Sequence, residues 1–325
     1  PDFDERHCGR VALFQQLFSG ENGDQAKLAL LFTYARRLAE QFLAYEQFRQ
    51  DEDEQQLLLL QALRRRKLFD LYEKTLPYAE HKTQEQHRSD SRQHYALYRL
   101  ADEADNYFTE VERRRSDDSL QLKENHLDRF YLAEKLRDAC EMQVRRHILK
   151  IDYSSRLLEA VLKEVGDNLP EYAGEPAIYV YYHIYLMVSR DDPQYYFDAL
   201  DGLSEHEAAL DPAGLAGMYN YFQNYCIRRI NKGEERFLAE IFRLYARLLE
   251  KELLYENGLL SEWHYKNIVT TGIRLRQMDW VKQFIENQKD RLDPGVRDNA
   301  YCFNLASYHH ALGQYDEVLR LLLQV

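Results

Sequence analysis

From residue 24 onward apolar positions recur every three or four residues, with polar positions between them. Leu28, Leu31, Phe32, Ala35, Leu38, Ala39 and Phe42 trace one such stripe, the spacing of a long helix starting at Asp24. Asp51-Glu52-Asp53-Glu54 opens the next helix, with carboxylates where the helix dipole favours them. Its stripe runs through Leu57, Leu60, Leu63 and Leu68 to about Lys74, and Pro77 follows. Residues 80–92 have no apolar anchor between Ala79 and Tyr95 and read as a loop or frayed helix start. Helices are then expected at about 93–114, 120–149 and 153–166. Ahead of all these, a short apolar run from Val11 to Phe18 is closed by Ser19-Gly20 and Gly23.

Beyond residue 170 the punctuation sharpens. Asp192-Pro193, Asp211-Pro212 and Asp293-Pro294 each pair an N-cap with a proline suited to the first helical position. Ser204-Glu205-His206-Glu207 matches a capping box, and Ser261 is placed to cap the helix that contains Trp263. Gly233, Gly258 and Gly313 sit where helices should stop. Helix pairs emerge at about 176–190 with 194–203, 213–231 with 234–256, 262–276 with 279–291, and 295–311 with 315–325. The first inward residues of the second helices, Ala199, Leu238, Val281 and Val318, are 39, 43 and 37 residues apart, so the period is unequal.

Composition agrees with helices throughout. Hydrophobic residues make up 45% of the 325, while Gly (13) and Pro (7) are scarce. No run of alternating apolar and polar β-branched residues stands out. The net charge of −12 is spread over both halves, 27 basic against 32 acidic groups in residues 1–168 and 16 against 23 in 169–325. An acidic balance argues against a phosphate-binding basic face. Cys8, Cys140, Cys226 and Cys302 are far apart and form no metal-binding pair, so each reads as a small reduced apolar residue in a cytoplasmic protein. The longest apolar stretch, Ala177 to Val188, is shorter than a membrane span. The start at Pro1 and the stop at Val325 inside a helical pattern lead to the expectation of a fragment of a longer chain.

The stretch Asn304-Leu305-Ala306, then Ala311-Leu312-Gly313-Gln314-Tyr315-Asp316-Glu317-Val318, resembles a tetratricopeptide repeat. Leu305, Ala306, Gly313, Tyr315 and Val318 fall where that family places Leu, a small residue, Gly, an aromatic and a small residue. The preceding unit has Arg276 where Gly is usual. The resemblance implies an all-α α-solenoid of stacked antiparallel helix pairs wound as a right-handed superhelix. It also implies a concave face that binds peptide segments, in which Asn and basic side chains on the first helices grip the ligand. The organisation expected is an N-terminal helical region over 1–168 and degenerate repeats over 169–325.

Candidate chemistry is sparse. Tyrosine supplies 25 residues. Tyr181 with Tyr185, and Tyr221 with Tyr225, are i,i+4 pairs that can each face one surface. They suit either an aromatic peptide groove or inter-helix packing. Arg64-Arg65-Arg66-Lys67 and Arg113-Arg114-Arg115 point in diverging directions on helices and read as solvated faces. His81, Glu85 and His87, and the adjacent His309 and His310, miss metal-ligand spacing. No nucleophile elbow, phosphate loop or dinucleotide fingerprint occurs. The expectation is therefore a non-catalytic scaffold with no catalytic residue, metal or cofactor, binding a protein or peptide partner through Tyr181, Tyr185, Tyr221 and Tyr225. A helical-repeat binder of single-stranded RNA and a regulatory arm of a larger enzyme remain the alternatives.

Overall fold

A computed structural model describes residues 25–86, 91–111, 118–190 and 192–323. The run Val11–Phe18, the triplet Arg113–Arg115, Cys8 and His87 lie outside the described residues. The described chain is all-α, with fourteen α-helices and one two-residue hairpin. It divides into two compact units, residues 1–83 with 99–119, and residues 84–98 with 120–325. Residues 120–168 therefore group with 169–325.

The first unit holds α1 (Gln25–Gln50), α2 (Glu52–Arg65), α3 (Phe69–Gln86) and the later part of α4 (Ser91–Val111). One helix was expected from Asp51 to Lys74, but the chain turns at Arg66–Leu68. Lys67 adopts a left-handed conformation (φ 59°), and Leu68 N–H donates to the Leu63 carbonyl, closing the helix end. Of the stretch 80–92, expected as a loop or frayed helix start, residues 80–86 continue α3, which holds Pro77 inside it, and Ser91 begins α4. Leu57, Leu60, Leu63, Tyr72, Leu100, Ala104 and Tyr107 form the core, with the rings of Tyr72 and Tyr107 stacked at 4.1 Å. Arg64 is no solvated cation: its Nε donates to Glu103 Oε1 at 2.6 Å, where Glu103 is buried.

The second unit opens with the start of α4 and most of α5 (Ser119–Leu149), followed by α6 (Leu158–Asp167). Four helix pairs follow: α7 (Pro176–Ser189) with α8 (Gln194–His206), α9 (Pro212–Asn231) with α10 (Arg236–Glu250), α11 (Glu262–Arg274) with α12 (Met278–Asn287), and α13 (Arg297–Ala311) with α14 (Tyr315–Leu322). First helices also touch their neighbours, α7 with α9 and α11 with α13, and α8, α10 and α12 each meet the next first helix. Successive pairs thus bury one another's apolar faces in one continuous core, from Cys140 and Val180 to Leu292 and Tyr308.

Some local readings change. Asp211 and Ser261 cap as expected, accepting from Gly214 N–H at 2.8 Å and His264 N–H at 3.2 Å. Ser204 caps nothing, because α8 runs through it and its hydroxyl donates to the Leu200 carbonyl. Asp293 accepts from Gly295 N–H, but α13 begins only at Arg297, so Pro294 lies in the preceding turn. Gly258 ends no helix. With Asn257 (φ 52°) it forms the tight turn between β1 (Tyr255–Glu256) and β2 (Leu259–Leu260), where Asn-Gly supplies two left-handed residues.

Two substitutions test this packing. A Cβ on the buried Gly272 of α11 would overlap Val281 Cγ2 on α12, so Gly272→Ala should lower stability by about 1–3 kcal/mol, read by thermal unfolding. An unchanged melting temperature would contradict the close approach. Arg276 is left-handed (φ 55°) in the α11–α12 turn, so Arg276→Gly should raise stability by up to about 1 kcal/mol.

Candidate functional site

Helix α9 carries a polar-aromatic stripe. Tyr221, Asn224, Tyr225, Arg228 and Asn231 follow at intervals of three, one, three and three residues, which brings them to one face. With Lys232 they line a groove of about 620 Å³, closed by Val144 of α5, Val188 of α7 and Trp263 at the start of α11. Ring and aliphatic carbons make most of its wall. Among the described residues, its charged lining groups are the cations of Arg228 and Lys232, in a chain of charge −12. The Arg228 guanidinium sits 5.2 Å over the Tyr225 ring, and its Nη1 lies 3.5 Å from the Val188 carbonyl. Trp263 leaves 53% of its surface open, a large apolar area beside the groove.

The four sequence-selected tyrosines separate. Tyr221 and Tyr225 line the groove, but Tyr225 is 2% exposed and contributes mainly as a wall. Its ring stacks on Tyr196 and meets Phe237 edge-on, and its hydroxyl accepts from Arg229 Nε at 2.9 Å. Tyr221 is half-buried, edge-on to Tyr181 at 6.4 Å, and its hydroxyl points to Glu141 at 3.4 Å. Burial, then Cys140, Tyr181 and Glu141, raises the Tyr221 phenol above its ordinary value, so it stays a neutral donor. Tyr181 lines a separate cavity of about 170 Å³ with Ser91, Arg137 and Asp211. Tyr185 packs against the main core and lines neither space. Asn224, Arg228, Asn231, Lys232 and Trp263 were missed by the sequence reading, although the α9 spacing could have found the first three.

A cleft of opposite sign lies at the other end of α9. About 780 Å³ is bounded by Pro212, Ala216, Asn220 and the hairpin, with Glu252, Glu256, Glu262 and Asp293 among its walls. Glu252 is already engaged by Arg291 at 3.2 Å.

A third cluster of polar side chains is built around the buried His94. His94 Nε2 meets Glu175 Oε2 at 2.8 Å, and its Nδ1 meets His126 Nδ1 at 3.1 Å, while Arg129 Nε holds Glu175 Oε1 at 2.6 Å. One proton can occupy the contact between the two imidazoles. Ser91, one turn before His94, donates to Glu134 at 2.6 Å. Among the described residues, no group of three His, Cys, Asp or Glu is placed to hold a metal ion, and no helix is long and apolar enough to cross a membrane. Cys140, Cys226 and Cys302 are buried free thiols, and burial pushes Cys226 up to about 12.

The comparisons add no family: no protein-family model, curated protein or solved structure matches the chain.

The histidine cluster sets a pH dependence. Burial, with His94 and Arg129 nearby, holds His126 down at about 4, below its ordinary 6.5. Between those values the unfolded chain takes a proton that the folded chain refuses, so stability should fall as pH drops from about 6.5 to 4. Glu175 is raised by burial but lowered further by His94 and Arg129, so its net shift is downward, and its contribution is lost at still lower pH. Denaturant unfolding across this range should show the loss, and His126→Phe should flatten part of it. Burial also lowers His183 and His264, so the remainder should persist. An identical profile in the variant would contradict the assignment.

Proposed function

We propose that this chain is a non-catalytic helical-repeat scaffold that docks an extended, acidic peptide segment of a partner protein in the α9 groove. The observation that carries the reading is the groove's described lining: aromatic and aliphatic walls, two amides and the basic side chains of Arg228 and Lys232, on an acidic protein. Apolar peptide side chains would displace water from Tyr221, Ile227 and Trp263. Peptide backbone groups would pair with Asn224 and Asn231, and carboxylates would lie against Arg228 and Lys232. The tetratricopeptide resemblance supports the same reading, since it implies a superhelical stack whose first helices face the ligand, and α9 is a first helix. The cations would also steer an acidic segment toward the groove, with a salt dependence that follows from screening.

Fluorescein-labelled acidic peptides containing aromatic residues should bind with an anisotropy change and shift Trp263 emission. Replacing their carboxylates by amides should weaken binding. Trp263→Ala, and separately Arg228→Ala with Lys232→Ala, should each lower affinity about tenfold or more while thermal stability holds. Tyr225→Ala should behave differently, lowering stability by roughly 3–5 kcal/mol because it empties a packed ring site. If acidic peptides fail to bind while single-stranded RNA binds with steep salt dependence, the groove serves nucleic acid and the scaffold reading is wrong.

A further inference from the structure

Helix α1 is 26 residues long, and the row from Leu30 to Gln47 is exposed along its whole length. At its end, Gln55 Nε2 of α2 donates to the carbonyls of Phe48 and Arg49. A lone helix in water draws little stability from its own hydrogen bonds, and a helix so rich in large apolar groups has to bury them.

The apolar positions have an order. Leu31, Ala35, Leu38, Phe42 and Tyr45 are spaced by four, three, four and three residues, the repeat of a two-stranded coiled coil. Phe32, Tyr34 and Ala39 flank this seam, and the charges between residues 31 and 45, Arg36, Arg37 and Glu40, all fall outside it. Arg36 and Glu40 pair with each other at 3.3 Å. Leu31, Phe32, Tyr34, Leu38, Phe42 and Tyr45 are 40–66% exposed. At roughly 100 Å² for each half-open side chain, they offer on the order of 600 Å² per chain. A stable interface uses roughly 800 Å² per partner, which the seam approaches once its flanking residues are included.

We infer that α1 is a homodimerisation helix, pairing antiparallel with α1 of a second copy of this chain. Side-chain volume selects the orientation. Parallel strands would set Ala35 on Ala35 and Phe42 on Phe42, a void beside an overfilled layer. Antiparallel strands centred between Arg36 and Arg37 set Ala35 on Leu38 and Leu31 on Phe42, so each layer joins a smaller to a larger group.

Sedimentation equilibrium of the full chain at tens of micromolar should give twice the chain mass. Leu38→Glu with Phe42→Glu should halve that mass while the cooperative unfolding of the remaining helices persists. Leu43→Glu, equally exposed but off the seam, should leave the dimer intact. A monomeric wild-type chain, a trimer or tetramer, or a dimer indifferent to the seam variant would each overturn the inference. Orientation is read from a nitroxide on Gln47→Cys in a Cys8→Ser background. The antiparallel pair should separate the labels by about 30 Å along the helix axis, and a separation under about 20 Å would overturn it.

Discussion

The interlocked rings of Tyr196, Phe222, Tyr225 and Phe237 are the contact on which the rest of the second unit depends. Tyr196 lies 5.5–5.7 Å from each of the other three, joining α8, α9 and the start of α10 through side chains with almost no solvent exposure. Rings at these separations attract through their edges and faces beyond the gain from burial. They also fix rotation: α9 cannot turn about its axis without pulling Phe222 or Tyr225 from this cluster. That constraint decides which α9 residues face outward, and so presents Asn224, Arg228 and Asn231 to the groove.

The same helix separates two electrostatic environments. Its first half borders a cleft with four carboxylates among its walls, and its second half borders a groove with two cations. The dipole of α9 reinforces both, favouring negative charge at its start and positive charge at its end. Nearby ion pairs are knitted into the packing instead. Glu207 receives Arg247, Lys251 and the Tyr219 hydroxyl, and stays below the ordinary carboxylate range despite its burial. Arg229 is 4% exposed and is held between the Tyr225 hydroxyl and Glu234. Of three neighbouring basic residues on one stretch of chain, the buried Arg229 is structural, whereas Arg228 and Lys232 line the groove.

Helix-by-helix organisation was legible in the chain because it rests on local rules. The stripes at Leu57–Leu63, the caps at Asp211 and Ser261, and the stops at Gly233 and Gly313 all express the geometry of single helices and their ends. Errors arose where a local signal had two outcomes. Leu68 continued an apolar period across a turn, Ser204 carried a capping pattern in mid-helix, and Asn257-Gly258 made a hairpin where a helix stop was expected.

The candidate site was half legible. The spacing of Tyr221 and Tyr225 placed both on one face of α9, because a helix repeats every 3.6 residues whatever surrounds it. Spacing could not say whether that face met solvent or another helix, and packing against Tyr196 and Phe237 made Tyr225 a wall. Trp263 lies 38 positions beyond Tyr225 in the chain and reaches the groove only because the stack brings the start of α11 beside the end of α9. The sequence alone determined the helices and the residues that share a face. The tertiary structure decided which faces are buried and which distant side chains meet, because those depend on neighbours that no local rule can specify.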